Sequence, residues 1–120
     1  MPKCILVVDD DRMNVALLKG TLVSKGFEVM TAGDGEEALE ELKKKIADLI
    51  LLDVQMPKMD GYAFILKKVA DPALSKIPVI VLTAEKKTEA LFKRHGVKSY
   101  LLKPIDTADL MNQIQAIFPA

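Results

Sequence analysis

The sequence has one cysteine, one histidine and no surplus of charge, with 17 Lys and Arg against 17 Asp and Glu in 120 residues. Each shortage excludes something. A lone Cys4 cannot build a disulfide framework. A half-apolar chain of this size needs no such staple, since a domain of like length buries roughly two thirds of the surface it exposes when unfolded. Balanced charge argues against a dedicated nucleic-acid or anionic-membrane binder, because neutralising phosphates takes a basic excess. No charge-free apolar stretch approaches the ~18 residues of a membrane span. The first apolar run reaches Asp9 too early for a signal peptide. Neither a Walker sequence nor a Gly-x-Gly-x-x-Gly occurs. These absences lead to the expectation of a soluble, cytoplasmic protein with one domain over residues 1–120.

What is present is a regular alternation. Residues 4–8, 49–52, 78–82 and 99–102 are apolar on consecutive positions, as parallel strands covered on both faces should be. Residues 27–31 are more mixed, with Glu28 inside, and read as an edge strand. Between them lie helical patterns. One covers about residues 12–25 and stops at Gly26. A second follows an Asp34/Glu37 capping box, with Ala38, Leu39, Leu42 and Ile46 on one face and Glu40/Lys44 and Glu41/Lys45 paired outside. Tyr62, Ile65, Leu66 and Val69 mark a third, the weakly patterned segment 86–94 a fourth, and Leu110, Ile114 and Ile117 after an Asp106 cap a fifth. Five strands alternating with five helices predict an α/β doubly wound, flavodoxin-like fold with strand order 2-1-3-4-5.

In such folds ligands sit beyond the carboxyl ends of the strands, at the switch point between the first and third. Strand one ends in Asp9-Asp10-Asp11, strand three in Asp53, strand four in Thr83-Ala84 and strand five in Lys103-Pro104. Asp10 or Asp11 alone is equally well explained as a cap on the next helix. The joint pattern is harder to explain that way. Two carboxylates ~4 Å apart repel by about 4 kcal/mol at an effective dielectric of ~20, so the cluster calls for a cation. Lys103 is one candidate and a hard divalent ion another, with Mg²⁺ preferred because no His or Cys stands nearby in sequence. Carboxylates, a divalent ion, an ammonium and a hydroxyl suit phosphoryl transfer, with Asp53 as nucleophile forming an acyl phosphate and Lys103 and Thr83 holding phosphoryl oxygens.

Val7-Val8-Asp9-Asp10-Asp11, Leu51-Leu52-Asp53-Val54-Gln55-Met56-Pro57-Lys58-Met59-Asp60-Gly61, Val81-Leu82-Thr83-Ala84 and Tyr100-Leu101-Leu102-Lys103-Pro104 together resemble the receiver domain of two-component response regulators. The resemblance covers essentially the whole chain, with the four blocks in order at strand ends. It implies a sensor histidine kinase or histidine phosphotransfer protein that donates a phosphoryl group to Asp53, and a downstream protein target that reads the result. It implies Mg²⁺ held by Asp10 and Asp53 directly, by Asp9 mainly through water, and by the Gln55 carbonyl. It makes Thr83 the switch hydroxyl, Lys103 the phosphate-binding lysine and Tyr100 the aromatic switch, which together alter the surface of the fourth helix, fifth strand and fifth helix. Such a domain catalyses its own phosphorylation and dephosphorylation without a separate substrate. The segment from Thr83 to Lys103 is shorter than is usual in the family, with the deficit between Ala84 and Gly96.

Other readings fare less well. A haloacid-dehalogenase-type hydrolase wants a second Asp two residues after the nucleophile, where this chain has Gln55. A flavin binder wants a Ser, Thr or Gly-rich phosphate loop where this chain has three aspartates. A degenerate receiver acting only as a binding module is normally marked by loss of the Asp, Thr or Lys, all present here. His95 reads as a helix-terminal residue, Cys4 as a small buried hydrophobe and Lys43-Lys44-Lys45 as a solvated face.

Overall fold

The computed structural model describes residues 2–53, 61–83, 97–103 and 105–118, the side chains of Tyr62, Thr83 and Lys98 excepted. The strands are β1 (Cys4–Val8), β2 (Glu28–Ala32), β3 (Leu49–Asp53), β4 (Val79–Thr83) and β5 (Val97–Leu102). They form one parallel sheet in the order β2-β1-β3-β4-β5, as the alternation predicts. The described helices are α1 (Arg12–Ser24), α2 (Gly35–Lys44), α3 (Gly61–Ala70) and α4 (Thr107–Ile117), the last being the fifth of the sequence-predicted helices. The helix expected over 86–94, together with Gln55, His95 and Pro104, lies outside the described residues.

Alternate strand residues point to opposite faces, so a strand buried on both sides feeds two cores. Ile5, Val7, Leu49, Leu51, Ile80 and Leu82 pack against Leu18 and Leu22 of α1 and Leu110 and Ile114 of α4. Leu6, Val8, Ile50, Leu52, Val79 and Val81 pack against Ala38 and Leu42 of α2 and Phe64 and Ile65 of α3. No helix of the described residues is long and apolar enough to cross a membrane.

Four local details depart from the sequence reading. The edge strand starts one residue later than expected, because the Phe27 N–H donates to Leu22 O and Gly26 sits at φ 93°, so Phe27 belongs to the turn that closes α1. The last strand starts earlier, with a register shift opposite Val79/Ile80 that skips Lys98 and breaks the apolar run. Helix α2 ends at Lys44, and Lys45 is extended at φ −155° and ψ 130°. Ile46 therefore leaves the helical face and stays exposed. Lys44 pairs instead with Glu41 and Lys45 with Glu28 across to β2, so the expected Glu40/Lys44 and Glu41/Lys45 pairs do not form. Finally, α3 buries Phe64, Ile65 and Lys68 while Leu66 and Val69 remain 44% and 42% exposed.

Candidate functional site

Three consecutive aspartates leave β1, and the backbone gives them different tasks. Asp11 is the N-cap of α1, its Oδ1 accepting from Met13 N at 2.9 Å and Asn14 N at 3.3 Å. The capping explanation thus belongs to Asp11, which frees the other two. The Asp9 N–H donates to Ala32 O, prolonging the β1 pairing with β2. Its carboxylate is turned inward and is 2% exposed. Oδ1 of Asp9 accepts from Asp11 N at 3.0 Å, and Oδ2 accepts from the Asn14 side-chain amide at 2.5 Å. Asp10 faces solvent.

Asp53 is the last residue of β3, paired with Leu82 of β4 and also 2% exposed. Lys103 follows β5, two strands away, and its side chain reaches back along the sheet edge. Its Nζ lies 2.9 Å from Asp53 Oδ2 and 3.8 Å from Asp9 Oδ2. Burial pulls the Lys103 ammonium down, but its hydrogen bond to Asp53 and the charges of Asp53, Asp9 and Asp10 outweigh that and raise its pKa above the ordinary lysine value.

Asp9, Asp10 and Asp53 each place one carboxylate oxygen within 4.8 Å of the others. At that separation each ionised pair repels by about 3.5 kcal/mol at an effective dielectric of ~20. Among the described residues, one ammonium stands against these three carboxylates. An all-oxygen donor set, two members buried and one open to solvent, fits a hard divalent cation that keeps part of its water shell. A cavity of about 560 Å³ between α1, β2 and α2, lined in part by Asp9, Asp10, Arg12 and Glu37, opens beside the cluster.

The sheet edge thus assembles Asp9, Asp10, Asp53 and Lys103 as a group. Thr83 closes β4 in register with Leu102, which puts its backbone at the same edge, while its side chain lies outside the description. Tyr100 is partly buried on β5 and packs against the core shared by α2 and α3. Gln55 lies outside the described residues. Sequence reasoning missed Asn14. The available signal was an amide side chain three residues after a capping aspartate, in the first turn of a helix that starts at the site.

The comparisons with known proteins agree with this geometry. The model of the response regulator receiver domain matches residues 5–115. Response regulator PleD of Caulobacter vibrioides is 39% identical over 117 residues, covering 94% of this chain and 25% of PleD. The chain thus spans about a quarter of the length of that relative. The polar-differentiation response regulator DivK of Brucella anthropi is 31% identical, covering 97% of this chain and 96% of DivK. Among solved structures, the receiver domain of sensor histidine kinase PA1611 from Pseudomonas aeruginosa superposes with a TM-score of 0.89 at 28% identity, covering 100% of both chains. That structure is described with a magnesium ion coordinated in its active-site cleft. The acidic edge, the strand order and the match over almost the full sheet agree: the chain belongs to the receiver domains of two-component response regulators.

Proposed function

We propose that Asp53 is the phosphoacceptor and that residues 1–120 act as a single receiver unit. The observation that carries this reading is the 2.9 Å contact of Lys103 with Asp53 Oδ2 at the point where three carboxylates converge. A carboxylate oxygen of Asp53 attacks phosphorus in a phosphohistidine, a P–O bond forms, the P–N bond breaks, and the imidazole leaves on the donor protein. The donor is a sensor histidine kinase or a histidine phosphotransfer protein.

Asp10 and Asp53 would hold Mg²⁺ directly, Asp9 chiefly through water, and the Gln55 carbonyl would complete the protein ligands. Bound there, the ion supplies positive charge for the phosphoryl oxygens. Lys103 carries its ammonium from the Asp53 carboxylate to a phosphoryl oxygen, and the Thr83 hydroxyl takes another. The same groups let the domain catalyse its own phosphorylation and dephosphorylation. Phosphorylation adds about −1.5 to −2 charge and three acceptor oxygens, favouring the conformer that places Thr83 and Lys103 on them. Tyr100 lies on β5, the strand that leads into Lys103, and reports the change to a downstream protein. Neutral overall charge leaves no basic surplus for direct nucleic-acid binding.

Intact-mass measurement after incubation with acetyl phosphate tests the assignment. The wild type should gain one phosphoryl group only when Mg²⁺ is present, and Asp53→Asn should gain none. Equal labelling of the variant overturns it.

A further inference from the structure

We propose that Asn14 is a positioning residue for the divalent-cation site, its side-chain amide fixing Asp9 Oδ2 and so keeping the Lys103 ammonium on Asp53. The inference rests on the reading that Asp9, Asp10 and Asp53 hold Mg²⁺.

The Asp9 carboxylate is enclosed, so each of its oxygens must find donors inside the protein. Oδ1 has the Asp11 N–H and Oδ2 has the Asn14 amide. Both donors are neutral. They set the plane of the carboxylate without cancelling its charge, and an ionised carboxylate with about four lone-pair positions retains acceptor capacity for a hydrated cation. The third donor near the carboxylate is charged: Lys103 Nζ, 3.8 Å from Oδ2 and so 0.9 Å farther than it is from Asp53 Oδ2. With the amide removed, Oδ2 becomes a buried acceptor whose nearest donor is that ammonium. Lys103 then moves toward Asp9 and away from Asp53 Oδ2, and so neutralises a carboxylate the cation needs. The main chain at Asn14 is held separately by Asp11, so the side chain is not required to start α1. Partners that orient ligating groups typically contribute 10- to 100-fold in metal affinity.

Magnesium titrations by calorimetry on the wild type and on Asn14→Ala, Asn14→Leu and Asn14→Gln test this, with thermal unfolding of each variant alongside. The expected result is roughly tenfold weaker Mg²⁺ binding in the Ala and Leu variants and recovery to within about threefold in Gln, which keeps the amide. Melting temperatures should not follow that order. In ¹⁵N-labelled wild type, the Asn14 side-chain amide resonances should shift during the titration. If the wild type binds Mg²⁺ and the Ala and Leu variants bind within twofold of it, the role of Asn14 is overturned while the metal reading stands. A tenfold loss in folded Asn14→Gln also overturns it, whatever the Ala and Leu variants do. If the wild type binds no Mg²⁺, the metal reading fails and this proposal fails with it.

Discussion

Replacing Lys103 by methionine removes the only ammonium that the described residues place against the acidic cluster, and the structure predicts effects of opposite sign on stability and metal binding. At an effective dielectric of ~20, charges separated by the Lys103–Asp53 and Lys103–Asp9 distances attract by about 6 and 4 kcal/mol, similar in sum to the three carboxylate repulsions of about 3.5 kcal/mol each. The ammonium therefore holds the metal-free site together. Removing one partner of a buried ion pair costs roughly 3–5 kcal/mol, and a lysine side chain that is 27% exposed lowers that to about 2–3. The same deletion relieves repulsion between the ammonium and a bound cation, so Mg²⁺ affinity should rise about tenfold, equivalent to ~1.4 kcal/mol.

Urea unfolding followed by circular dichroism, in EDTA and at one fixed Mg²⁺ concentration well above the dissociation constant, reads both effects. By linkage, tenfold tighter binding adds about 1.4 kcal/mol of metal-induced stability. Lys103→Met should lose about 2–3 kcal/mol in EDTA and recover around half of it with Mg²⁺. Phosphorylation by acetyl phosphate should still fall steeply, because the charge that stabilises the phosphoryl oxygens is gone. A variant as stable as wild type in EDTA, or one that binds Mg²⁺ no more tightly, would refute the electrostatic argument.

Three further outcomes are expected. Thr83→Ala should still be labelled at Asp53 but lose phosphorylation-dependent partner binding; unchanged dependence in a pull-down would rule out the hydroxyl switch. Lys68 is 0% exposed, donates to Ser75 O at 3.1 Å, and has its pKa lowered by burial. Its charged form costs stability in full below the folded pKa, and the cost is relieved as pH rises from there toward the unfolded value of 10.5. Lys68→Met should thus be more stable at pH 7 by about 1–3 kcal/mol after allowing ~1 for the lost hydrogen bond, and should lack that rise; a loss of stability in urea would contradict it. Asp48 accepts from Cys4 N at 2.7 Å and returns its own N–H to Cys4 O, so Asp48→Ala should cost about 1.5–3 kcal/mol by chemical denaturation, with no change in Mg²⁺ affinity.

The sheet was legible because β1, β3 and β4 are buried on both faces, and only near-continuous apolar runs survive there. The acidic edge was legible for a related reason, since a run that stops on a carboxylate at each of two adjacent strands must bring those charges together. The division of labour within Asp9-Asp10-Asp11 came only from the family resemblance and not from the residues themselves, because a cap and a ligand ask for the same residue type. The face of α3 was misread because hydropathy ranks lysine as outward, while a four-carbon stem can be buried, as Phe64 and Ile65 are, when its ammonium finds a carbonyl. The contact from Asn14 to Asp9 depends on the angle at which α1 leaves β1, which residue spacing does not encode.

Global neutrality conceals this local arrangement. The chain carries 17 charges of each sign, yet among the described residues its carboxyl edge gathers the carboxylates of Asp9, Asp10 and Asp53 around Lys103. Because that lysine is shared, the proposed phosphorylation of Asp53 would redistribute it: oxygens with nearly two added charges would compete with Asp53 Oδ2 for the same ammonium. The strand that carries it is the one best placed to respond. β5 is an edge strand with β4 as its neighbour, and its ladder already shifts register opposite Val79/Ile80. A pull on Lys103 therefore meets less resistance than a pull on β1 or β3, which are paired on both sides and buried on both faces. Tyr100 lies three residues before the lysine, partly buried and in contact with the α2/α3 core, so on the proposed switch a small displacement of β5 would change how much of the ring a partner meets. On the proposed switch, a partner would read phosphorylation only to the extent that it binds the displaced and undisplaced β5 unequally.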